Sequence, residues 1–124
     1  MNNNREEIFK FARDGAIENV RQALLDGANI QETKKKDANQ SLLHYATQYG
    51  YEELVAFLLE HKINPNIVDD YGVSALHKAA GKGYVSIVKQ LVENGAVVDI
   101  QNNKKATPFN EALYNNQIEC ADFY

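Results

Sequence analysis

Apolar positions along this chain fall in short clusters with helical spacing. Leu54, Val55, Leu58 and Leu59 form one stripe, and Ile87, Val88, Leu91 and Val92 form another. Each recurs with the 3.6-residue period of a helix that buries one face. Ahead of each stripe lies a run that opens on a hydroxyl residue: Ser41 before Leu42-Leu43, Ser74 before Ala75-Leu76, and, in a later copy, Thr107 before Pro108-Phe109. A hydroxyl in that place accepts from the free N–H groups of a first helical turn, so each run is predicted to start a helix. Pro108 suits the first helical position, where its missing donor is not needed. Gly50 and Gly83 suit left-handed C-terminal caps, with Asn116 the next best residue for that place. The stretches 63–72 and 96–105 read as extended polar loops, with Asp70-Tyr71-Gly72 as a turn tip.

The elements repeat. Ser41-Leu42-Leu43-His44-Tyr45-Ala46 returns 33 residues later as Ser74-Ala75-Leu76-His77-Lys78-Ala79, and 33 residues beyond that as Thr107-Pro108-Phe109-Asn110-Glu111-Ala112. The same register lays Gly50 on Gly83, Tyr51 on Tyr84, and the first apolar stripe on the second. The first copy is offset by 35, placing Gly15 and Gly27 opposite Gly50 and Lys62, so two extra residues lie in the loop around Thr33 to Lys36. A fourth copy begins near Asn102 and reaches Tyr124 before its second helix would be complete. A fixed period of this size marks a stack of helix-turn-helix units, about three and a half of them. Ala46, Ala79 and Ala112 are small enough to let neighbouring helices approach closely, and a larger side chain there would overpack the contact. At the amino end, Asn4 and Glu7 have the spacing of a capping box for a helix over 5–14.

These residues resemble the ankyrin repeat, whose signature of a turn, then T-P-L-H-x-A, then G-x-x-x-[IV]-V is carried almost whole by residues 70–88. The resemblance covers nearly the entire chain. It implies an all-α solenoid with extended hairpin loops, in one domain over 1–124, with repeats near 4–35, 36–68 and 69–101 and an incomplete one over 102–124. Asn39 and Lys105 stand in place of the turn glycine, Lys62 replaces a helix-terminal glycine, and Asn110 replaces the signature histidine. Asn39 tolerates a left-handed turn, whereas Lys105 weakens the expectation for the last hairpin tip. The resemblance further implies that His44 and His77 bond backbone groups of the neighbouring loop and do not begin a metal site. Asn66 stands where ankyrin repeats often carry an asparagine that certain oxygenases hydroxylate, with Asp99 opposite it in the next repeat. Pro65 departs from the usual context, and a structural asparagine is the favoured reading.

Composition narrows the chemistry. With a formal net charge of -4, the chain lacks the clustered basic surface that phosphate binding requires, so no nucleic acid is expected. Lys34-Lys35-Lys36 and Lys104-Lys105 read as solvated loop tips. No apolar run approaches the roughly 20 residues of a membrane span, and the amino terminus lacks a secretory pattern, so no membrane is expected and a cytoplasmic location is. A single cysteine, Cys120, supports neither an internal disulfide nor a zinc cage. Ser41 and Ser74 are occupied as caps, and Gly81-Lys82-Gly83 fails the phosphate-loop pattern. Neither catalysis nor any cofactor or metal is expected.

The resemblance implies a concave binding surface made of hairpin tips and the exposed side of the first helices. The register puts Tyr71 and Asp70 on a hairpin tip, Tyr49 and Tyr114 near the ends of first helices, and Tyr45 one turn earlier on the same exposed side. Tyrosine is enriched at interfaces because it offers a large rigid contact and a hydroxyl. Gln48, Lys78, Lys82, Lys104 and Glu111 complete the expected contact set. The chain is therefore read as a protein-binding scaffold. The alternative is a regulatory or targeting ankyrin segment of a larger enzyme or secreted effector, and a third reading is weak self-association through an uncapped C-terminal repeat.

Overall fold

The computed structural model describes residues 4–115 and 117. The chain is mostly helical. Seven α-helices occur among the described residues: α1 Asn4–Arg13, α2 Ile17–Leu25, α3 Leu42–Gln48, α4 Glu52–Glu60, α5 Ala75–Lys82, α6 Val85–Glu93 and α7 Pro108–Tyr114. Six of them form three adjacent pairs, α1 with α2, α3 with α4, and α5 with α6. The pairs then stack: α1 packs on α3, α3 on α5 and α5 on α7 in one layer, while α2 packs on α4 and α4 on α6 in the other.

The hydroxyl caps form as the sequence predicts. Ser41, Ser74 and Thr107 each accept a bond from the backbone N–H three residues on, and the residue in that third position reaches back to the cap's own N–H. A cap of this kind contributes on the order of 1 kcal/mol to a helix that is too short to hold alone. Gly50 and Gly83 take positive φ, +73° and +76°, and turn the chain into the second helix of each pair. A side chain at Gly50 would press on the ring of Tyr84, just as one at Gly15 would press on Tyr51. Each tyrosine thus closes over the turn of the preceding unit. The Asn4 side chain and Asn116 lie outside the described residues, as do 118–124 and with them Cys120 and the second helix expected of the last repeat.

The core lies between the two layers. Leu54, Val55 and Leu58 of α4 and Ile87, Val88 and Leu91 of α6 are fully buried, and Leu59 nearly so, which accounts for the apolar stripes. Ala46, Ala79 and Ala112 have no exposed surface. Their small size sets how closely α3, α5 and α7 approach.

The long loops are hairpins. In the first, β1 Thr33–Lys34 pairs antiparallel with β2 Gln40–Ser41 around a short 3-10 turn, Lys35–Asp37. In the second, Val68 pairs with Ser74, and in the third the Asn102 N–H donates to the Ala106 carbonyl. Asp69 Oδ1 accepts from the N–H groups of Tyr71 and Val73, and Asn102 Oδ1 accepts in the same way from Lys104 and Ala106. The turn position falls at positive φ in every hairpin: Asn39 at 58°, Gly72 at 74° and Lys105 at 64°. The last tip therefore forms with lysine in the left-handed region.

Candidate partner-binding groove

The hairpin tips are tied together by backbone. The Asp70 N–H donates to the Ala38 carbonyl at 2.8 Å, and the Asn103 N–H donates to the Tyr71 carbonyl at 2.9 Å. Side chains reinforce both joints, since Asn39 Nδ2 donates to Asp70 Oδ1 and Asn103 Nδ2 donates to the Asp70 carbonyl. Beneath the tips, the buried His44 accepts the Ser41 N–H on Nδ1, and its Nε2 lies 2.7 Å from the Val73 carbonyl of the next hairpin. A ring nitrogen that accepts a backbone N–H is unprotonated, so the proton sits on Nε2, which donates to Val73. His77 makes the same strut to Ala106. These two histidines are struts between loops, as the resemblance implies, and no group of three or more His, Cys, Asp or Glu able to hold a metal occurs among the described residues. Asn66 is likewise structural, its amide bridging the Gly95 carbonyl and the Val97 N–H at the end of the next helix pair. Gln31 makes the corresponding bridge to Lys62 and Asn64.

Between the tethered tips and the first helices runs an open groove of about 730 Å³, lined among others by Lys36, Asp37, Tyr71, Lys78, Lys104 and Glu111. It shares Val73, Lys78 and Glu111 with a smaller pocket of about 250 Å³ that Gln48, His77, Gly81, Lys82 and Asn115 complete. Of the ten residues expected to meet a partner, the structure thus gathers six, Gln48, Tyr71, Lys78, Lys82, Lys104 and Glu111, along one continuous depression. Tyr71 projects from its tip with 65% of its surface exposed. Tyr49 is 47% exposed and its ring leans on Tyr51 at 5.9 Å, beside the groove but not in its wall. Tyr114 is 89% exposed at the end of α7. Asp70 is exposed, and its carboxylate is taken up by Asn39.

Tyr45 departs from the expectation. It is only 7% exposed, its ring packs on Phe9, and its hydroxyl donates to the Asp37 carboxylate. Burial and the nearby Asp37 charge hold its hydroxyl protonated far above the usual tyrosine range. The register alone misplaces it because Lys78 and Glu111, its counterparts in the later repeats, are more open. The first helix supplies an aromatic neighbour, and the 3-10 turn supplies an acceptor.

Gly81, which the sequence offers only within a failed phosphate-loop pattern, lines the smaller pocket. It lies in the last turn of α5, where glycine weakens a helix by up to roughly 0.5 to 1 kcal/mol relative to alanine. A methyl group there would meet only Asn115 Nδ2 at 3.4 Å and Glu111 Cβ at 3.7 Å, so packing does not demand the glycine. It stands in the wall of the smaller pocket, already in contact range of α7. A glycine within a predicted helix that is neither cap nor turn was the available signal.

A row of helix pairs whose hairpins are pinned tip to tip, with histidine struts under the tips, defines a helical repeat protein of the hairpin-bearing class. The chain belongs to the ankyrin-repeat family. Residues 43–92 match that family's sequence model, described as ankyrin repeats in many copies. Similar proteins include an ankyrin repeat protein of Rickettsia felis, 29% identical over 123 residues that make up 98% of this chain and 40% of that protein. Synphilin-1 of Mus musculus is 33% identical over 115 residues, covering 90% of this chain and 12% of its own length. The BCL-6 corepressor of Homo sapiens is 45% identical over 65 residues, 52% of this chain and 4% of that protein. The chain therefore spans less than half the length of each of these relatives. No helix among the described residues is long and apolar enough to cross a membrane.

Proposed function

We propose that this chain is a protein-interaction module, a solenoid of about three and a half ankyrin repeats over 1–124, and that it holds a partner protein in the groove between its hairpin tips and first helices. The observation that carries this reading is the groove itself. It is continuous across units and lined by an exposed tyrosine and open polar side chains, and its tips are fixed by backbone and asparagine bonds that leave the side chains of Tyr71 and the groove lysines out. A surface whose walls are held from behind can be filled by a partner without rearrangement, which lowers the entropic cost of binding. A second reading is favoured by the small share of each relative that the chain covers: the module then serves as the regulatory or targeting segment of a larger enzyme or secreted effector.

The test is capture of partners from native lysate by immobilised parent and by a Tyr49→Ala, Tyr71→Ala double variant. Interface aromatics typically contribute about 2 kcal/mol or more each, so the double variant is expected to lose capture while its circular dichroism and melting stay near the parent's. Undiminished capture would move the binding surface to the opposite face or to the helix-pair turns.

A further inference from the structure

Resting on that reading, we infer that the groove is built for an acidic segment of the partner, an extended stretch of about six residues carrying several carboxylates. The argument begins with what the groove's charged groups already do. Among its carboxylates, Asp37 accepts from Tyr45, Asp69 accepts from two backbone N–H groups, and Glu111 accepts from Asn102 Nδ2. Its cations are uncommitted. None of Lys36, Lys78, Lys82 or Lys104 makes an ion pair with a described residue, and only Lys78 makes a side-chain hydrogen bond, to the neutral Gln48 Oε1 at 2.9 Å. Each ammonium carries three donors, so the groove presents a surplus of unspent donors and positive charge on a chain whose formal net charge is -4.

Lys78 sharpens the argument. It is half-buried at the centre, shared by both parts of the groove, and burial drives its amine below the ordinary lysine range. Asp69 and Asp37 offset that burial only in part and neither pairs with the ammonium directly, so a carboxylate from outside adds to what they supply. Length follows from geometry. Lys36 and Lys104 sit on the first and third tips, two helix spacings apart, or roughly 20 Å at about 10 Å per neighbour. An extended chain covers that in about six residues at about 3.3 Å each. The groove's own carboxylates disfavour a nucleic-acid backbone, whose charge is dense and unbroken, whereas discrete side-chain carboxylates can alternate with them.

Fluorescence anisotropy with three labelled octapeptides tests this, one alternating glutamate with alanine, one glutamine with alanine and one lysine with alanine, beside a labelled eight-nucleotide RNA. The expected result is that only the glutamate peptide binds, and that affinity falls about tenfold between 50 and 500 mM salt as the pairs are screened. Lys78→Gln with Lys104→Gln is expected to weaken it a further fivefold or more, whereas Lys10→Gln with Lys89→Gln, which changes net charge equally away from the groove, leaves it within twofold. Lys36→Gln with Lys104→Gln, confined to the loops, repeats the test without touching a helix. Equal binding of the glutamine peptide, binding of the RNA in preference, no binding of any probe to millimolar concentration, or equal effects of groove and distant variants would each overturn the acidic preference. The groove reading itself falls on a different result, undiminished partner capture by the tyrosine double variant.

Discussion

Replacing His44 by asparagine should separate the two jobs of this side chain, because the protein already carries that substitution in its last repeat. At Asn110, Oδ1 accepts the Thr107 N–H at 2.9 Å, so the shorter amide still completes a capping box. In His44→Asn the cap is therefore retained, while the Nε2–H bond to the Val73 carbonyl, 2.7 Å long and inside the molecule, is lost. Losing that bond removes about 1 kcal/mol, while the Val73 carbonyl keeps the Asp69 N–H as its other donor. The space vacated by the ring adds a cavity contribution of similar size. The expected loss is about 1 to 3 kcal/mol, measured by urea unfolding followed by circular dichroism. His61→Asn is the control, since that ring is exposed and bonds only to the Phe57 carbonyl of its own helix; it should change stability by less than about 1 kcal/mol. A His44→Asn midpoint indistinguishable from the parent's would refute the strut and reduce the histidine to a helix cap.

Acid should act through the same group: burial pushes His44 below its ordinary 6.5, so the unfolded chain binds the proton more readily. The associated stability is full above about pH 6.5 and is lost as pH falls from there through the folded value, a slope that should flatten in His44→Asn. The Thr47 hydroxyl is fully buried and finds no partner among the described residues, so Thr47→Val, similar in volume, should raise stability by about 1 kcal/mol; a lower melting temperature would reveal an unrecognised bond. Ala38 sits at φ 58°, and relief of its left-handed strain in Ala38→Gly, less the glycine's added entropy, should gain about 0.5 to 1 kcal/mol by chemical unfolding. Gly81→Ala should likewise gain about 0.5 to 1 kcal/mol while weakening partner capture; unchanged capture would place the smaller pocket outside the contact.

Much of this architecture is legible from spacing alone. The period of 33, the hydroxyl caps and the glycines at 50 and 83 act within a few residues of chain, where local chemistry decides the outcome. Contacts between units are harder to read. Tyr45 reads as exposed because it lies one turn before Tyr49 on the same helix side, whereas its burial depends on Phe9 and Asp37, which a repeat alignment does not place against it. The first hairpin differs for the same reason. Its two extra residues replace the turn used by Asp69 and Asn102 with a 3-10 turn, and the strain then falls on Ala38 as well as Asn39. Lys105 adopts the left-handed turn that its identity disfavours because the Asn102 side chain and the tip-to-tip bond at Asn103 hold the loop from both sides.

Lys62 at φ 67° and the buried Thr47 hydroxyl depart from local preference away from the groove, but three departures line it: Ala38 at a left-handed tip, Gly81 in the last turn of α5, and Lys78, half-buried with no direct ion pair to a described residue. Each is a position where a different residue would stabilise the free chain: glycine at 38, alanine at 81, and at 78 an apolar side chain or a lysine with an acidic neighbour. The histidine struts and tip-to-tip bonds serve the free chain, and His77, Ala38 and Asn103 among them also line that space. That three such departures share one surface is the pattern expected where a surface serves something besides folding. Under the proposed function, a carboxylate of the partner would add to the field of Asp69 and Asp37 at Lys78, which those two offset only in part.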